Sequence, residues 1–90
     1  MGQYADASEN ASKALEIDGI TEKDMAKAYF RRAQARVGRK NEEDALKDLE
    51  TAQKHAPGDG AIVKELDAVK KRVRDRKEKE RKAYKNAFNF

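Results

Sequence analysis

Apolar and small residues recur every three or four positions in four blocks of the 90-residue chain, and short polar or glycine-containing breaks separate the blocks. This spacing places them on one face of an α-helix, whereas a half-buried strand would alternate strictly between apolar and polar residues. No block shows such alternation or an enrichment in β-branched residues. The pattern therefore predicts an all-α fold built from four helices.

Glycine, proline and capping residues set the expected ends of the first three helices. Their expected spans are about 3–18, 22–38 and 42–56. Gly19 and Gly38 are placed to terminate the first two helices, and Pro57 follows the third. Either Thr21 or Asp24 can cap the second helix at its N-terminus.

The fourth block follows the turn sequence PGDG and predicts a long helix capped by Asp59. Its apolar residues at positions 62, 66, 69 and 73 keep helical spacing, and the following RDRKEKERK contains none. Positions 61–90 contain no proline or glycine, so we expect one helix to about residue 87, with its second half projecting into solvent. The chain thus divides into a helical array, residues 1–58, and a long basic helix, residues 59–90.

Composition narrows the class of protein. Apolar residues make up 38% and charged residues 42%, against about 45–50% and about 25% in typical domains, so the core must be thin. There is no cysteine, which removes disulfides and thiolate metal sites and favours a cytoplasmic or nuclear location. No apolar run is long enough to cross a bilayer and no signal-peptide pattern opens the chain, so we expect no membrane interaction.

The residues offer no catalytic or metal-binding constellation. The single histidine, His55, falls at the end of the third helix, where interaction with the helix C-terminus accounts for it. The sequence has no set of nucleophile, histidine and carboxylate, no glycine-rich phosphate loop after a strand and no cluster of metal ligands. We therefore expect an interaction protein without enzymatic activity, cofactor or metal.

Two stretches of the chain share a pattern of small residues. The matching positions, 38 residues apart, are Ala7, Ala11 and Ala14 in the first block and Ala45, Leu49 and Ala52 in the third. Self-similarity of this kind is the signature of helical repeats, in which neighbouring units bury a continuous core. We expect the second and third blocks to form one antiparallel helix pair, and the first block to be the second helix of the pair before it.

This repeat resembles the tetratricopeptide motif. The residues that match its aromatic, small, apolar and proline positions are Tyr29, Ala33, Ala45, Leu49, Ala52 and Pro57, with Tyr4, Ala7 and Ala14 matching in the partial repeat before them. The match departs at Arg36 and Glu42, where apolar or aromatic residues are usual, and we expect both sites to be poorly packed. The resemblance implies stacked helical hairpins, about one and a half repeats in number.

Three further stretches, KAYFRRAQA, PGDGAIVKEL and KAYKNAF, make the chain similar to the C-terminal region of the large immunophilins, of the cyclophilin-40 or large FKBP type. The resemblance implies a co-chaperone that binds the acidic Glu-Glu-Val-Asp tail of the 90-kDa or 70-kDa heat-shock chaperones. In that family a clamp of lysine, asparagine and arginine holds the terminal carboxylates. The prolyl isomerase domain of the family precedes its repeats and has no counterpart in these residues.

Lys27 and Arg31 match the last two positions of that clamp, and Gln34 and Arg32 are weaker candidates for lining the same groove. A peptide end carries an α-carboxylate and, here, an Asp side chain, which suit a lysine and an arginine on one helix face. The other clamp positions belong to repeats before the first block, so we expect tail binding weaker than about 100 μM. The uncovered side of the first helix, around Tyr4, predicts self-association, as a dimer that can include exchanged helices.

The basic final helix carries the alternative function. Residues 61–90 hold 11 Lys or Arg against 5 Asp or Glu, whereas residues 1–60 hold 10 against 12. The candidate residues are Lys70, Lys71, Arg72, Arg74 and Arg76. The interval 70–88, with Val69, Val73, Tyr84 and Phe88 as flanking apolar residues, resembles a calmodulin-binding helix, an interaction proposed for the last helix of the family. Nucleic acid is the other partner considered. Interleaved acids and the lack of aromatic residues inside the run make nucleic acid the weaker partner and favour an ordinary solvated helix.

Overall fold

The computed structural model of the protein describes residues 3–87, with side chains as far as residue 85. Within that range it contains α-helices and no strand, which confirms the all-α class. The helices are α1 (Gln3–Leu15), α2 (Glu22–Gly38), α3 (Glu42–His55) and α4 (Gly60–Ala87). No helix in this range is both long enough and apolar enough to cross a bilayer.

Side-chain caps fix the beginnings of α2 and α4. Thr21, rather than Asp24, caps α2, because its hydroxyl accepts a hydrogen bond of 3.1 Å from the Asp24 backbone N–H. Asp59 caps α4 by accepting hydrogen bonds from the backbone N–H groups of Ala61, at 2.9 Å, and Ile62, at 3.4 Å. Both beginnings use the short polar residues that the sequence provides just before the apolar positions.

The end of α1 is tighter than a continued α-helix. The helix stops at Leu15, and the next N–H groups bond three residues back, from Glu16 to Lys13 at 3.1 Å and from Ile17 to Ala14 at 3.3 Å. Gly19 then adopts a φ of +77°, a conformation that glycine reaches without steric cost. These tight turns end the helix before the expected residue 18.

Gly38, the expected terminator, is the last residue of α2, but the left-handed cap residue is Lys40, two positions later. Lys40 has a φ of +62°, and the Asn41 N–H bonds to the Arg36 carbonyl at 2.7 Å, as in a Schellman cap. Gly38 serves a different purpose, because a Cβ at this position would overlap the ring of Tyr4 on α1. The glycine therefore permits close approach of α1 and α2 rather than the turn.

Each helix packs against the next one in the chain. The pairs run antiparallel, because the start of each helix contacts the end of its neighbour, as Tyr4 contacts Gly38 and Ala26 packs with Ala52. The core lies between α2, α3 and α4, where Ala33, Ala45, Leu49, Ala52 and Val69 have no exposed surface. Among the other repeat positions, Ala14 is half-buried, whereas Ala7 and Pro57 are exposed and Tyr4 is 51% exposed. The alanines in the core let the helix axes approach closely, which gives a small chain a dense interior.

Only the first half of α4 is buried. Ile62, Leu66, Val69 and Val73 are at most 7% exposed, and beyond Val73 every described side chain except Arg76 is exposed. The molecule is accordingly elongated, with extents of 60 × 32 × 17 Å. The second half of α4 is a charged helix that buries little of its surface.

Candidate functional site

A groove of about 880 Å³ runs between α1 and α2. Small side chains make its floor, and these are Ala7, Ala11 and Ala14 from α1 and Ala28 and Ala35 from α2. Because alanine side chains are short, the two helices leave a concave surface between their larger residues. This groove contains three residues predicted as a site, Lys27, Arg31 and Gln34.

Polar groups from α2 follow the groove in a line. Asp24, Lys27, Arg31 and Gln34 are spaced three or four residues apart, so they share one face of α2 over about 15 Å. Lys27 and Arg31 are exposed, and within residues 3–87 neither has a hydrogen-bond or ion-pair partner. Two cations one helical turn apart are therefore available in a concave surface.

The ends of the groove differ in charge. Asp18 and Asp24 lie at the end near the turn between α1 and α2, whereas Asn10 faces the groove from α1. The predicted site did not include Asn10, although its position three residues after Ala7 and four before Ala14 puts it on the groove side of α1. The cations thus lie between a pair of carboxylates and a pair of neutral amides, Asn10 and Gln34.

The other two arginines of α2 are bound to a buried carboxylate. Asp48 on α3 is only 4% exposed. Arg32 donates to both of its oxygens, at 2.9 Å from Nε and 2.8 Å from Nη2, and Arg36 donates from Nη1 at 2.9 Å. The prediction that Arg36 is poorly packed is wrong, because Asp48 supplies a partner for its guanidinium.

Arg32 links three helices rather than lining the groove. It also donates to the Ser12 hydroxyl of α1 at 3.1 Å and lies 5.3 Å from the centre of the Tyr29 ring, which stacks on His55 at 5.9 Å. Its hydrogen bonds to Asp48 raise the pKa of Arg32, against the opposing effect of burial. The weaker suggestion that Arg32 lines the groove is therefore corrected.

A sequence signal for this cluster existed but was missed. Asp48 follows Ala45 by three residues and precedes Ala52 by four, which puts an acidic residue on the buried face of α3. A carboxylate in such a position needs cationic partners. The arginines of the neighbouring helix were the available candidates.

The side of α2 opposite the groove is anchored in the core. The core has two groups of buried residues, one around Leu49 and Val69 and one around Ala52 and Ile62, and Phe30 packs against both. Ala33 is fully buried in the first group. Tyr29 packs beside Ala26, Ala52 and Ile62. With this face buried and Arg32 bound to Asp48, the rotation of α2 about its axis is fixed, and Lys27 and Arg31 are directed into the groove.

The basic residues of α4 fall into two groups. Lys70, Lys71, Arg72 and Arg74 are exposed. Arg76 lies 3.9 Å from both Glu42 and Glu43 of α3, so it is partly engaged within the chain. The Glu42 side chain is only 18% exposed beside Arg76, which corrects the expectation that it is poorly packed.

Two of the apolar residues expected to flank a calmodulin-type site are covered. Val69 is fully buried and Val73 is 7% exposed, both in the core with α2 and α3. Tyr84 is 69% exposed, and Phe88 lies outside the described residues. In the described part of the chain, no three His, Cys, Asp or Glu side chains are grouped to hold a metal ion.

Comparison with known proteins gives a partial match to a longer protein. No protein-family model matches the chain. Peptidyl-prolyl cis-trans isomerase D from two strains of Cryptococcus neoformans var. neoformans serotype D, JEC21 and B-3501A, is 40% identical over 77 residues, which is 86% of this chain and 20% of each relative. The chain spans about a fifth of the length of these curated relatives. It is therefore similar to a segment of a cyclophilin-type isomerase, which supports the resemblance to the immunophilins.

Proposed function

We propose that the chain is a peptide-binding module of tetratricopeptide type, from an immunophilin-like co-chaperone, that binds the acidic C-terminal tail of a 90-kDa or 70-kDa heat-shock chaperone. One observation carries the proposal: Lys27 and Arg31 line a groove and have no ion-pair or hydrogen-bond partner among the described residues, while Arg32 and Arg36 on the same helix are bound to Asp48. The similarity to a segment of isomerase D supports the family part of the proposal.

The chemistry of the two cations suits a chain end. The α-carboxylate and the Asp side chain of a terminal aspartate are separate acceptors, and Lys27 and Arg31 are about 6 Å apart along the helix axis. An arginine can bind a carboxylate through two parallel hydrogen bonds, and a lysine acts as a compact point charge. An aspartate at a free chain end can therefore engage both residues at once.

The neighbours of the cations set limits on this binding. Asp18 and Asp24 repel further acidic residues from one end of the groove, whereas Asn10 and Gln34 can accept from and donate to a peptide backbone at the other. Exposed ion pairs contribute about 1 kcal/mol or less. We therefore expect Lys27 and Arg31 to bind the acidic tail weakly, with a dissociation constant above about 100 μM.

A titration followed by NMR tests the proposal. The ligand is a peptide ending in Glu-Glu-Val-Asp, compared with the same peptide carrying a C-terminal amide, which removes the α-carboxylate. We expect the amide to bind more weakly, and the double variant Lys27→Glu with Arg31→Glu to abolish binding of both peptides.

The matched control is Lys23→Glu with Lys47→Glu, which makes the same change in charge at exposed positions outside the groove. Its affinity for the acidic peptide should stay within about twofold of that of the unsubstituted protein, since long-range electrostatic attraction contributes little at physiological salt. Equal losses in the two double variants, or equal binding of acid and amide, would contradict the proposal.

The alternative function through residues 70–88 is less well supported. A calmodulin-type protein surrounds a basic helix and takes its apolar anchors, but Val69 and Val73 face α3. Access to them would require α4 to leave the core. The isomerase activity in the name of the relatives belongs to those proteins as wholes and forms no part of the proposal.

A further inference from the structure

A second groove, of about 430 Å³, lies between α3 and α4 and shares no residue with the groove between α1 and α2. Its floor is formed by Leu46 of α3 and Val73 of α4. Its remaining lining residues, all from α4, are Lys70, Arg74, Lys77, Glu78 and Arg81. The groove therefore combines an apolar floor with a cationic wall that carries one acid.

The four basic residues form a straight line. Lys70, Arg74, Lys77 and Arg81 are separated by four, three and four residues, which places them on one face of α4, one turn apart, over about 16 Å. We call these four residues together with Leu46 the cationic ridge. Such a line of charge is long enough to contact a partner at four points.

Most of the charge on the ridge is not used within the molecule. Lys70, Arg74 and Arg81 are exposed and have no ion-pair or hydrogen-bond partner within residues 3–87. Lys77 lies 3.6 Å from Glu43, and both side chains are at least 60% exposed, so this pair is easily exchanged for another. The ridge is thus an exposed and largely uncompensated cationic surface.

We propose that the cationic ridge binds an acidic amphipathic helix of another protein. A helix with Glu or Asp at spacings of four, three and four carries its charges at the same intervals as the ridge, so the two can pair turn by turn. An apolar residue on the same face of the partner would contact Leu46, which fixes the register. This inference is independent of the proposed function of the other groove.

The apolar floor favours a helical protein partner over other anions. A nucleic acid strand would gain nothing from Leu46, and the ridge has no aromatic residue on which a base could stack. A partner that wraps the helix is disfavoured, because Leu66, Val69 and Val73 hold the apolar face of α4 in the core. A partner lying alongside α4 uses the surface that is exposed.

The test uses the full chain and fluorescein-labelled helical peptides, with binding followed by fluorescence anisotropy. The designed peptide has four glutamates at the ridge spacing and one leucine on the same face. One comparison peptide replaces this leucine with alanine, and another has the same composition with the glutamates spread around the helix. We expect the designed peptide to bind at least tenfold more tightly than the scrambled one and several-fold more tightly than the alanine peptide.

The protein variants are matched in charge. Lys70→Glu, Arg74→Glu and Arg81→Glu together should lower the affinity at least tenfold, whereas Lys71→Glu, Arg72→Glu and Lys79→Glu, exposed residues of the same helix outside the groove, should lower it less than threefold. Circular dichroism checks that both variants fold. Equal binding of designed and scrambled peptides would overturn the proposal, and so would tighter binding of single-stranded RNA with the same dependence on the ridge residues.

Discussion

Four of the five basic residues of α2 fall into two different environments, which differ by the presence of one carboxylate, that of Asp48. Asp48 binds Arg32 and Arg36 in the interior, and no acidic group of the described residues binds Lys27 or Arg31. The first pair holds helices together, and the second pair remains available to a ligand. Adjacent residues such as Arg31 and Arg32 therefore differ in role because the helix directs one outward and the other inward.

The buried cluster predicts a large effect of a small change. Asp48→Asn removes the negative charge and leaves two partly buried guanidinium groups without compensation. We expect a loss of about 3 kcal/mol in the free energy of unfolding, near the lower end for buried pairs because both arginines keep some contact with water. Urea denaturation measures it, with Glu50→Gln, exposed on the same helix, as a control expected within about 0.5 kcal/mol of the parent. A loss below about 1 kcal/mol for Asp48→Asn would contradict a structural role for the cluster.

At the level of residues, the sequence alone identified the groove cations but not the cluster. Lys27 and Arg31 were predicted because the resemblance to the tetratricopeptide family places them at clamp positions, and their four-residue spacing puts them on one face of a helix. The pairing of Arg32 and Arg36 with Asp48 depends on how α2 and α3 are rotated against each other, and no local pattern encodes that rotation. The acid on the apolar face of α3 was the only sequence clue.

At the level of elements, the C-terminal end of α2 departs from the rule that a glycine supplies the left-handed cap residue of a helix. Gly38 has the residue type that usually ends a helix, but the Tyr4 ring occupies the space beside it, and the helix continues to it. The left-handed residue comes two positions later and is Lys40. Local sequence therefore predicted the end of the helix closely, but not which residue adopts the left-handed conformation.

The unusual cap residue gives the second prediction. Lys40→Gly should raise the free energy of unfolding by about 1 kcal/mol, because a non-glycine residue with positive φ is strained. Arg39→Gly, at a φ of −92°, should instead lower it by about 0.5–1 kcal/mol through the greater freedom of the unfolded chain. Thermal unfolding measures both, and a destabilised Lys40→Gly would contradict the assigned cap.

The docking of α4 gives the third prediction. Leu66 is 3% exposed and packs with Leu49 and Val69, so Leu66→Ala should cost about 3 kcal/mol through lost burial and a residual cavity. Arg81→Ala, exposed on the same helix, should change stability by less than about 0.5 kcal/mol. Chemical denaturation monitored by circular dichroism distinguishes the two, and similar small effects would indicate that α4 does not depend on this contact.

At the level of the whole molecule, the spacing of apolar residues was enough to predict the all-α fold class and four helices. The two grooves could not be predicted in the same way, because a concave surface depends on the distance and angle between helices. The alanine positions predicted close packing, and the family resemblance implied the cations of the first groove. The second groove, with its line of basic residues on α4, became visible only when α3 and α4 were placed together. The elongated shape follows from α4, in which residues 74–82 include no apolar residue to bury.

Self-association is the fourth prediction. The groove between α1 and α2 has an alanine floor, and the large apolar side chains Tyr4 and Ile17 at its margins are 51% and 61% exposed. We expect sedimentation to give a mass above the 10.2 kDa of a monomer, rising with concentration, and Ile17→Lys to reduce it. A monomer at every concentration would contradict this prediction.

The most direct test of the central claim is a map of backbone amide shifts in ¹⁵N-labelled protein titrated with the Glu-Glu-Val-Asp peptide. We expect the largest changes at Lys27, Arg31 and Gln34 and at the facing residues of α1, and we expect them to vanish in the double variant Lys27→Glu with Arg31→Glu. Changes concentrated on α4, or spread evenly over the surface, would contradict the claim that two unpartnered cations of α2 recognise the acidic end of a peptide.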